Sequence, residues 1–382
     1  MIVVGLLYNF NGMATWCIEA AYALHEHGEH VLLVVDSSQR ADLKAEDFPF
    51  PIFFWQSEPF QFSASKWKRV SSFITSTFSG ASSGFASKLT RALGQEGITP
   101  SVFLFNQSNL QDSACPIPQY IVAWAYPTTL WAYLRKTVQQ NDHIWNKQFL
   151  MSISSAVSWY LKDKRAYREA TGVMAVSKRL HQSLLEQKIR AELVYPPLRL
   201  EHLPPLFVGG EPRKAIRILC AAVDLENPQK KIIWALNALQ PFAKHLSLEF
   251  HLVGQYEELP RMLKNWGLHG TLYGFLSRPD LKRIMHQCDL FLFASSFDDW
   301  GYVQVEALAA NLLVIAPNIS PCDEIIGTQE LLFESGNSTS LVACIERLIH
   351  EGRIDYWKEK NKERISTFGS QHFVKRLEKW IP

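Results

Sequence analysis

The sequence predicts an α/β protein made of two Rossmann-like, doubly wound parallel-sheet domains, and three observations carry that expectation. The chain has 382 residues, more than one ordinary core accommodates. Short continuous apolar runs recur along it, separated by stretches with helical spacing, as expected for strands buried on both faces of a parallel sheet. Between two such series lies "PPLRLEHLPPLFVGGEPRK" (196–214), which holds five prolines and two glycines and has no periodicity.

The first series opens with an apolar run over residues 2–8, broken by "NFNGMAT". "WCIEAAYALHEHG" then has helical spacing and stops at Gly28, and "HVLLVV" (30–35) reads as a second strand. Strand, helix and strand in so short a span make a βαβ unit with a right-handed crossover. Further strands are expected at "PIFFW" (51–55), "VFLF" (102–105), "YIVAW" (120–124), "GVMAV" (172–176) and "ELVY" (192–195).

After residue 214 the pattern restarts. Strands are expected at "IRILCAAV", "LEFHLVG", "TLYGF", "DLFLFAS" and "LLVIAP", with "LLFE" following. Helices are expected at "KKIIWALNALQPFAKH", "PRMLKNWG", "PDLKRIMHQ", from about 301, and at 338–351. The expected organisation is therefore a first domain over 1–196, a linker at 197–214 and a second domain over 215–365. A terminal helix follows within 366–382. Two domains of this kind create a cleft at the carboxyl ends of their strands, where ligands bind beside loops and helix N-termini.

Composition narrows the function. Hydrophobic residues make up 47% and charged residues 20%, the profile of a soluble globular protein. A formal net charge of +2 gives no global attraction to nucleic acid. Six cysteines lie far apart without a C-x-x-C pair, which argues against a zinc site or a disulfide framework and for a reducing, cytoplasmic setting. "MIVVGLLYNF" reads as a strand, not a signal peptide, and no apolar run is long enough to span a bilayer.

Three places carry candidate chemistry. Gly12 lies in a strand-to-helix turn, where backbone N–H groups approach an anion or where a tight turn simply needs positive φ. In "AVDLENPQKKIIWALNAL" (222–239), Lys230 precedes a helix. A cation there is unfavourable by roughly 0.3–1 kcal/mol unless an anion sits beside it. The alternative is an ordinary solvated lysine pair. The third place is "SSFDDWGYVQVEALAANLLVIAPN" (295–318). Asp298 and Asp299 suit helix capping. Glu306 falls five residues past Gly301 among small apolar neighbours, so it needs either an internal salt bridge or a ligand's hydroxyls.

The stretch from Asp298 to Ala316, "DDWGYVQVEALAANLLVIA", resembles the motif E-x-F-G-x-x-x-x-E-A-x-A-x-G-x-P-V-I-A of retaining GT-B glycosyltransferases of the family 4 type. "AVSKRLHQSLLE", "VYPP", "AVDLENPQKK", "HLVGQY", "LYGFLSRPDLKRIMHQCDLFLFASS" and "LLFESGN" follow that family's order and spacing over about 170–340. The N-terminal "NGMATW…HEHGEHVLLVV" fits its opening βαβ unit.

The resemblance implies a metal-independent enzyme without a cofactor, moving a sugar from a UDP, GDP or dTDP donor to a hydroxyl-bearing acceptor. Glu306 would bind the ribose hydroxyls. Lys230 would neutralise the diphosphate leaving group. Backbone amides of Gly301, Tyr302 and Val303 would hold sugar or phosphate oxygens. Gly12 would let the first loop close on the same diphosphate, and Asp298 would hold donor-sugar hydroxyls. The terminal stretch "FGSQHFVKRLEKWIP" would cross back to the first domain.

The chain departs from the family's pattern at four places. Asp298 stands for its first Glu, and Asn311 for its later Gly. Val223 and Asp224 stand where relatives carry an arginine, and Ser320-Pro321 for the Gly-Gly before Glu324. Two other readings stay open: an epimerase or phosphorylase on the same scaffold, and a relative that binds a nucleotide sugar or a partner enzyme without turnover.

The acceptor half is less legible. Trp124, Tyr126, Trp131, Trp145 and Trp159 cluster there and suit either sugar stacking or core packing. "KWKRVSSFITSTF" (66–78) suits either peripheral contact with an anionic membrane or a solvated amphipathic helix. His143 is either a general base or a structural histidine.

Overall fold

The computed structural model describes residues 1–7, 12–37, 45–56, 84–124, 160–161, 163–200 and 215–380. The segment at 66–78, His143, Tyr126, Trp131, Trp145, Trp159 and most of the 197–214 stretch lie outside the described residues. The chain divides into two compact units, Met1–Pro197 with Ser370–Pro382, and Leu198–Gly369.

Unit 1 is a parallel sheet of β1 (Ile2–Leu7), β2 (Val31–Asp36), β3 (Ile52–Trp55), β4 (Val102–Phe105), β5 (Gln119–Ala123), β6 (Gly172–Ala175) and β7 (Ala191–Leu193). The order is β3-β2-β1-β4-β5-β6-β7, so it reverses between β1 and β4. Strands β2, β4, β5 and β6 are buried along their whole length. Burial on both faces explains why the sequence shows unbroken apolar runs rather than alternation.

Helices α1 (Gly12–Glu26), α2 (Phe85–Gln95) and α3 (Lys178–Glu186) cover the sheet. Ser177 caps α3 by accepting from the Leu180 amide at 3.3 Å. Helix α2 begins at Gly84 without a local cap, and the buried Asp112 accepts from the Ser87 amide at 3.0 Å instead. The register of β1 against β2 shifts between Val4 and Leu7. Gly5 sits in that shift at φ 47°, and a Cβ there would lie 2.4 Å from the Cys17 sulfur.

Unit 2 is a second parallel sheet, formed by β8 (Ile216–Asp224), β9 (Leu248–Gln255), β10 (Gly270–Leu272), β11 (Leu290–Leu292), β12 (Leu313–Pro317) and β13 (Leu332–Phe333). Its order, β10-β9-β8-β11-β12-β13, reverses between β8 and β11. Its helices are α4 (Ile232–Leu239), α5 (Leu259–Trp266), α6 (Arg278–Met285), α7 (Tyr302–Ala309), α8 (Cys322–Ile326), α9 (Ser338–His350) and α10 (Ile354–Ile365).

Helix α4 is shorter than its periodicity suggests. Lys231 enters it in the left-handed region at φ 51°, and the helix stops at Leu239, two residues before Pro241. Gln240 keeps helical backbone, but Pro241 has no N–H to continue the ladder. Helices α8 and α10 were not anticipated from the sequence pattern.

The last helix, α11 (Ser370–Leu377), belongs to unit 1 and packs on α1, where Phe373 meets Trp16 edge-on at 6.2 Å. Trp380 stacks on Tyr120 at 5.6 Å, and the Tyr120 hydroxyl donates to the Trp380 carbonyl. At the boundary of unit 2, the Leu198 amide donates to the Phe368 carbonyl at 2.9 Å, and Leu198 forms an isolated parallel bridge with Gly369. The six cysteines are free and buried. Among the described residues no helix is long and apolar enough to cross a membrane.

Candidate functional site

In an open parallel sheet, two neighbouring strands whose connections run in opposite directions leave a crevice at their carboxyl ends. In unit 2 those strands are β8 and β11, and the loops that leave them carry the residues singled out above. The β8 loop is folded by its own short side chains: Asp224 accepts from the Glu226 amide and Asn227 from the Gln229 amide, each at 2.9 Å.

The two loops are laced together. The Gln229 carbonyl accepts from the Ser296 amide at 2.9 Å and from its hydroxyl at 3.2 Å. The Gln229 side-chain amide donates to the Phe297 carbonyl at 3.1 Å. This sets Lys230 Nζ 3.0 Å from Asp298 Oδ2, with the side chains 30% and 20% exposed. The pair is open enough for a ligand to reach either member.

Glu226 does a structural job. One of its oxygens accepts from the amides of Glu257, Glu258 and Leu259 at 2.9, 2.7 and 2.7 Å, closing the start of α5. Desolvation pushes its carboxyl upward, but the three amide donors outweigh that and hold it below the ordinary glutamate value.

The turn into α7 corrects one expectation. Neither Asp298 nor Asp299 is the N-cap: that residue is Gly301, at φ 76° and ψ 59°, which has no side chain to cap with. The left-handed turn at Gly301 puts Asp299 two residues ahead of the capping position, while Asp298 is committed to Lys230. A Cβ on Gly301 would lie 2.4 Å from the side-chain amide nitrogen of the buried Gln304. Trp300, buried to 1% exposure, anchors the turn edge-on against Phe368 at 5.5 Å. The amides of Tyr302 and Val303 open the helix, at the positive end of its dipole.

Glu306 lies on this helix among the buried Val305, Ala307 and Leu308, and its side chain is 13% exposed. Arg278 supplies the partner it needs: Nη2 stands 2.6 Å from Glu306 Oε1. Oε2 has no partner among the described residues, so one carboxylate oxygen remains available to a donor from outside.

The other candidates fall elsewhere. Gly12 is the first residue of α1 in unit 1. Lys231 Nζ lies over the Trp234 ring, 5.8 Å from its centroid. Glu324, 8% exposed in α8, is reached by the Ser320 hydroxyl at 3.5 Å, and Arg364 holds its carbonyl and that of Ile325. Arg278 and Gln229 were missed from sequence. The first reads as a surface helix start, and the second carries no charge. Among the described residues no three His, Cys, Asp or Glu side chains group as metal ligands.

An ammonium and a glycine-started helix at one crevice favour an anion, and a half-engaged carboxylate favours hydroxyl groups. Residues 215–351 match the family described as glycosyl transferases group 1. The chain is 26% identical over 145 residues to the serotype-specific mannosyltransferase WbdA of Escherichia coli, a match covering 36% of this chain and 16% of that protein.

Among solved structures, sucrose-phosphate synthase from Thermosynechococcus elongatus has the same fold, with a TM-score of 0.70 and 14% identity over 99% of this chain and 98% of that one. Anabaena HepE in complex with UDP and glucose matches with a TM-score of 0.64 and 15% identity, covering 98% of each chain. The protein thus has the GT-B fold of two parallel-sheet α/β units, and its residues 215–351 are similar to the glycosyl transferases group 1.

Proposed function

We propose that this protein transfers a sugar from a nucleotide-sugar donor to a hydroxyl-bearing acceptor, with retention of anomeric configuration and without a metal. The observation that carries the reading is the Lys230–Asp298 pair, held at 3.0 Å across the unit 2 switch point beside the glycine start of α7. Further support comes from the relatives, one named a mannosyltransferase and one solved with UDP and glucose.

In this reading unit 2 binds the donor and unit 1 the acceptor. Glu306 Oε2 accepts from the ribose hydroxyls. Lys230 and the first amides of α7, those of Gly301, Tyr302 and Val303, neutralise the diphosphate as its bond to the anomeric carbon breaks. The acceptor oxygen forms the new bond on the same face, and its proton passes to a leaving phosphate oxygen. Asp298 orients the sugar hydroxyls and keeps Lys230 aimed when no diphosphate is bound. Gly12 keeps the role implied by resemblance, an amide-rich start of α1 that meets an anion. Acceptors of the expected class are a surface polysaccharide, a glycolipid or a hydroxylated small molecule, reached in solution or at a membrane face.

A thermal-shift panel of UDP-, GDP- and dTDP-sugars should identify one donor that stabilises the protein, followed by transfer or slow hydrolysis of that donor. Lys230→Ala should lower kcat by about 10²–10³ while leaving the melting temperature of the free protein unchanged. Turnover unaffected by that substitution overturns the role of Lys230. Donor binding without any turnover would favour a non-catalytic nucleotide-sugar binder.

A further inference from the structure

Arg278 is an unusual residue for its position. It is the first residue of α6, where a cation opposes the helix dipole. The helix does not need it there. Ser277 accepts from the Asp280 amide as a regular N-cap, Pro279 follows in the first turn, and Asp280 supplies the acidic residue that this end favours. Yet its guanidinium extends to α7, across 28 residues of sequence, and meets Glu306 Oε1 at 2.6 Å.

The pair is asymmetric in exposure. Arg278 is 46% exposed and Glu306 13%, so the carboxylate is the member that depends on the contact. A glutamate side chain has three rotatable bonds, and the apolar neighbours of Glu306 on α7 offer no other hydrogen bond to fix them. The Nη2–Oε1 bond fixes one oxygen and leaves Oε2 without a partner among the described residues.

We propose that Arg278 is a positioning residue of the donor site. By holding Oε1 it aims Oε2 at the sugar of the nucleotide, and so sets the preference for donors that carry ribose hydroxyls. The proposal deepens the reading of Glu306 given above and rests on it. Arg278 acts through Glu306; it need not touch the donor.

The test compares binding of UDP and GDP with binding of their 2′,3′-dideoxy counterparts, by calorimetry, in wild-type protein, Glu306→Gln, Arg278→Gln and Arg278→Lys. Wild type should prefer the nucleotide with hydroxyls by at least about tenfold. Glu306→Gln and Arg278→Gln should each remove most of that preference while dideoxy binding stays unchanged. Arg278→Lys should keep part of it, since the ammonium retains charge but lacks the planar fork.

The outcomes separate the two ideas. No nucleotide binding, or no preference in wild type, overturns both the ribose role of Glu306 and the proposal. A preference lost in Glu306→Gln but intact in Arg278→Gln overturns the proposal alone. Equal weakening of both nucleotide types in Arg278→Gln would show a merely structural ion pair and also overturns it. If Arg278→Gln does not fold, Arg278→Lys decides: a folded lysine variant with undiminished preference is the overturning result.

Discussion

The sheet of unit 1 reverses between β1 and β4. Gly5 packs on Cys17, and the buried Asn106 offers its carbonyl to the Trp124 indole at 2.9 Å. At the corresponding point of unit 2, between β8 and β11, the chain spends its polar residues on lacing two loops and facing Lys230 with Asp298. Both sheets reverse at a switch point, and in unit 2 the loops there carry a charged pair. A doubly wound sheet supplies a place for a ligand, but a specific anion site needs a cation, a helix start and loops rigid enough to keep them together.

Two glycines put that difference to a direct test. Gly5→Ala drives a Cβ to 2.4 Å from a fully buried sulfur and keeps a side chain at φ 47°. Overpacking plus left-handed strain should cost about 2–4 kcal/mol of stability. Urea unfolding should record that loss, with nucleotide affinity unchanged in the protein that remains folded. Gly301→Ala is the counterpart in unit 2, at φ 76° and 2.4 Å from the Gln304 amide nitrogen. Here the obstacle is the far end of a longer side chain that can turn aside, so stability should fall by about 1–3 kcal/mol. The α7 turn also shifts, and UDP or GDP affinity should fall by about tenfold or more in calorimetry. Affinity losses of equal size in the two variants would erase the distinction between the switch points.

The smallest expected effect sharpens the same contrast within unit 2. Lys231 adopts φ 51° without being a glycine, while its neighbour Lys230 faces Asp298. Lys231→Gly should relieve local strain and raise stability by about 0.5–1 kcal/mol without altering donor affinity. A marked loss of affinity would mean that Lys231, not only Lys230, serves the anion.

Much of the fold was legible because buried parallel strands leave unbroken apolar runs, such as "HVLLVV" and "DLFLFAS". Lys230, Asp298 and Glu306 were legible as chemistry at unexpected places, but their partners were not. The partners lie 68 and 28 residues away, and nothing local to the sequence announces them. The Asp299 cap failed because the left-handed glycine moved the start of α7 past it. Helix α4 was overextended because its apolar spacing continues through Pro241, which its backbone cannot.

Substitution away from the motif's later glycine did not change the backbone it implies. Asn311, at the later glycine of the motif, has φ 62°, and Lys231, a lysine in the same region of the backbone, has φ 51°. Asparagine tolerates that region more readily than lysine.

The bridge between Leu198 and Gly369 has a consequence for how the protein is made. Unit 1 takes in residues on both sides of unit 2, with α11 packed on α1 by way of Phe373 and Trp16. A ribosome therefore emits every residue of unit 2 before it emits the helix that completes unit 1. Domains generally fold in the order of their synthesis. Here the unit that is begun first is finished last, after every residue of the other has been made.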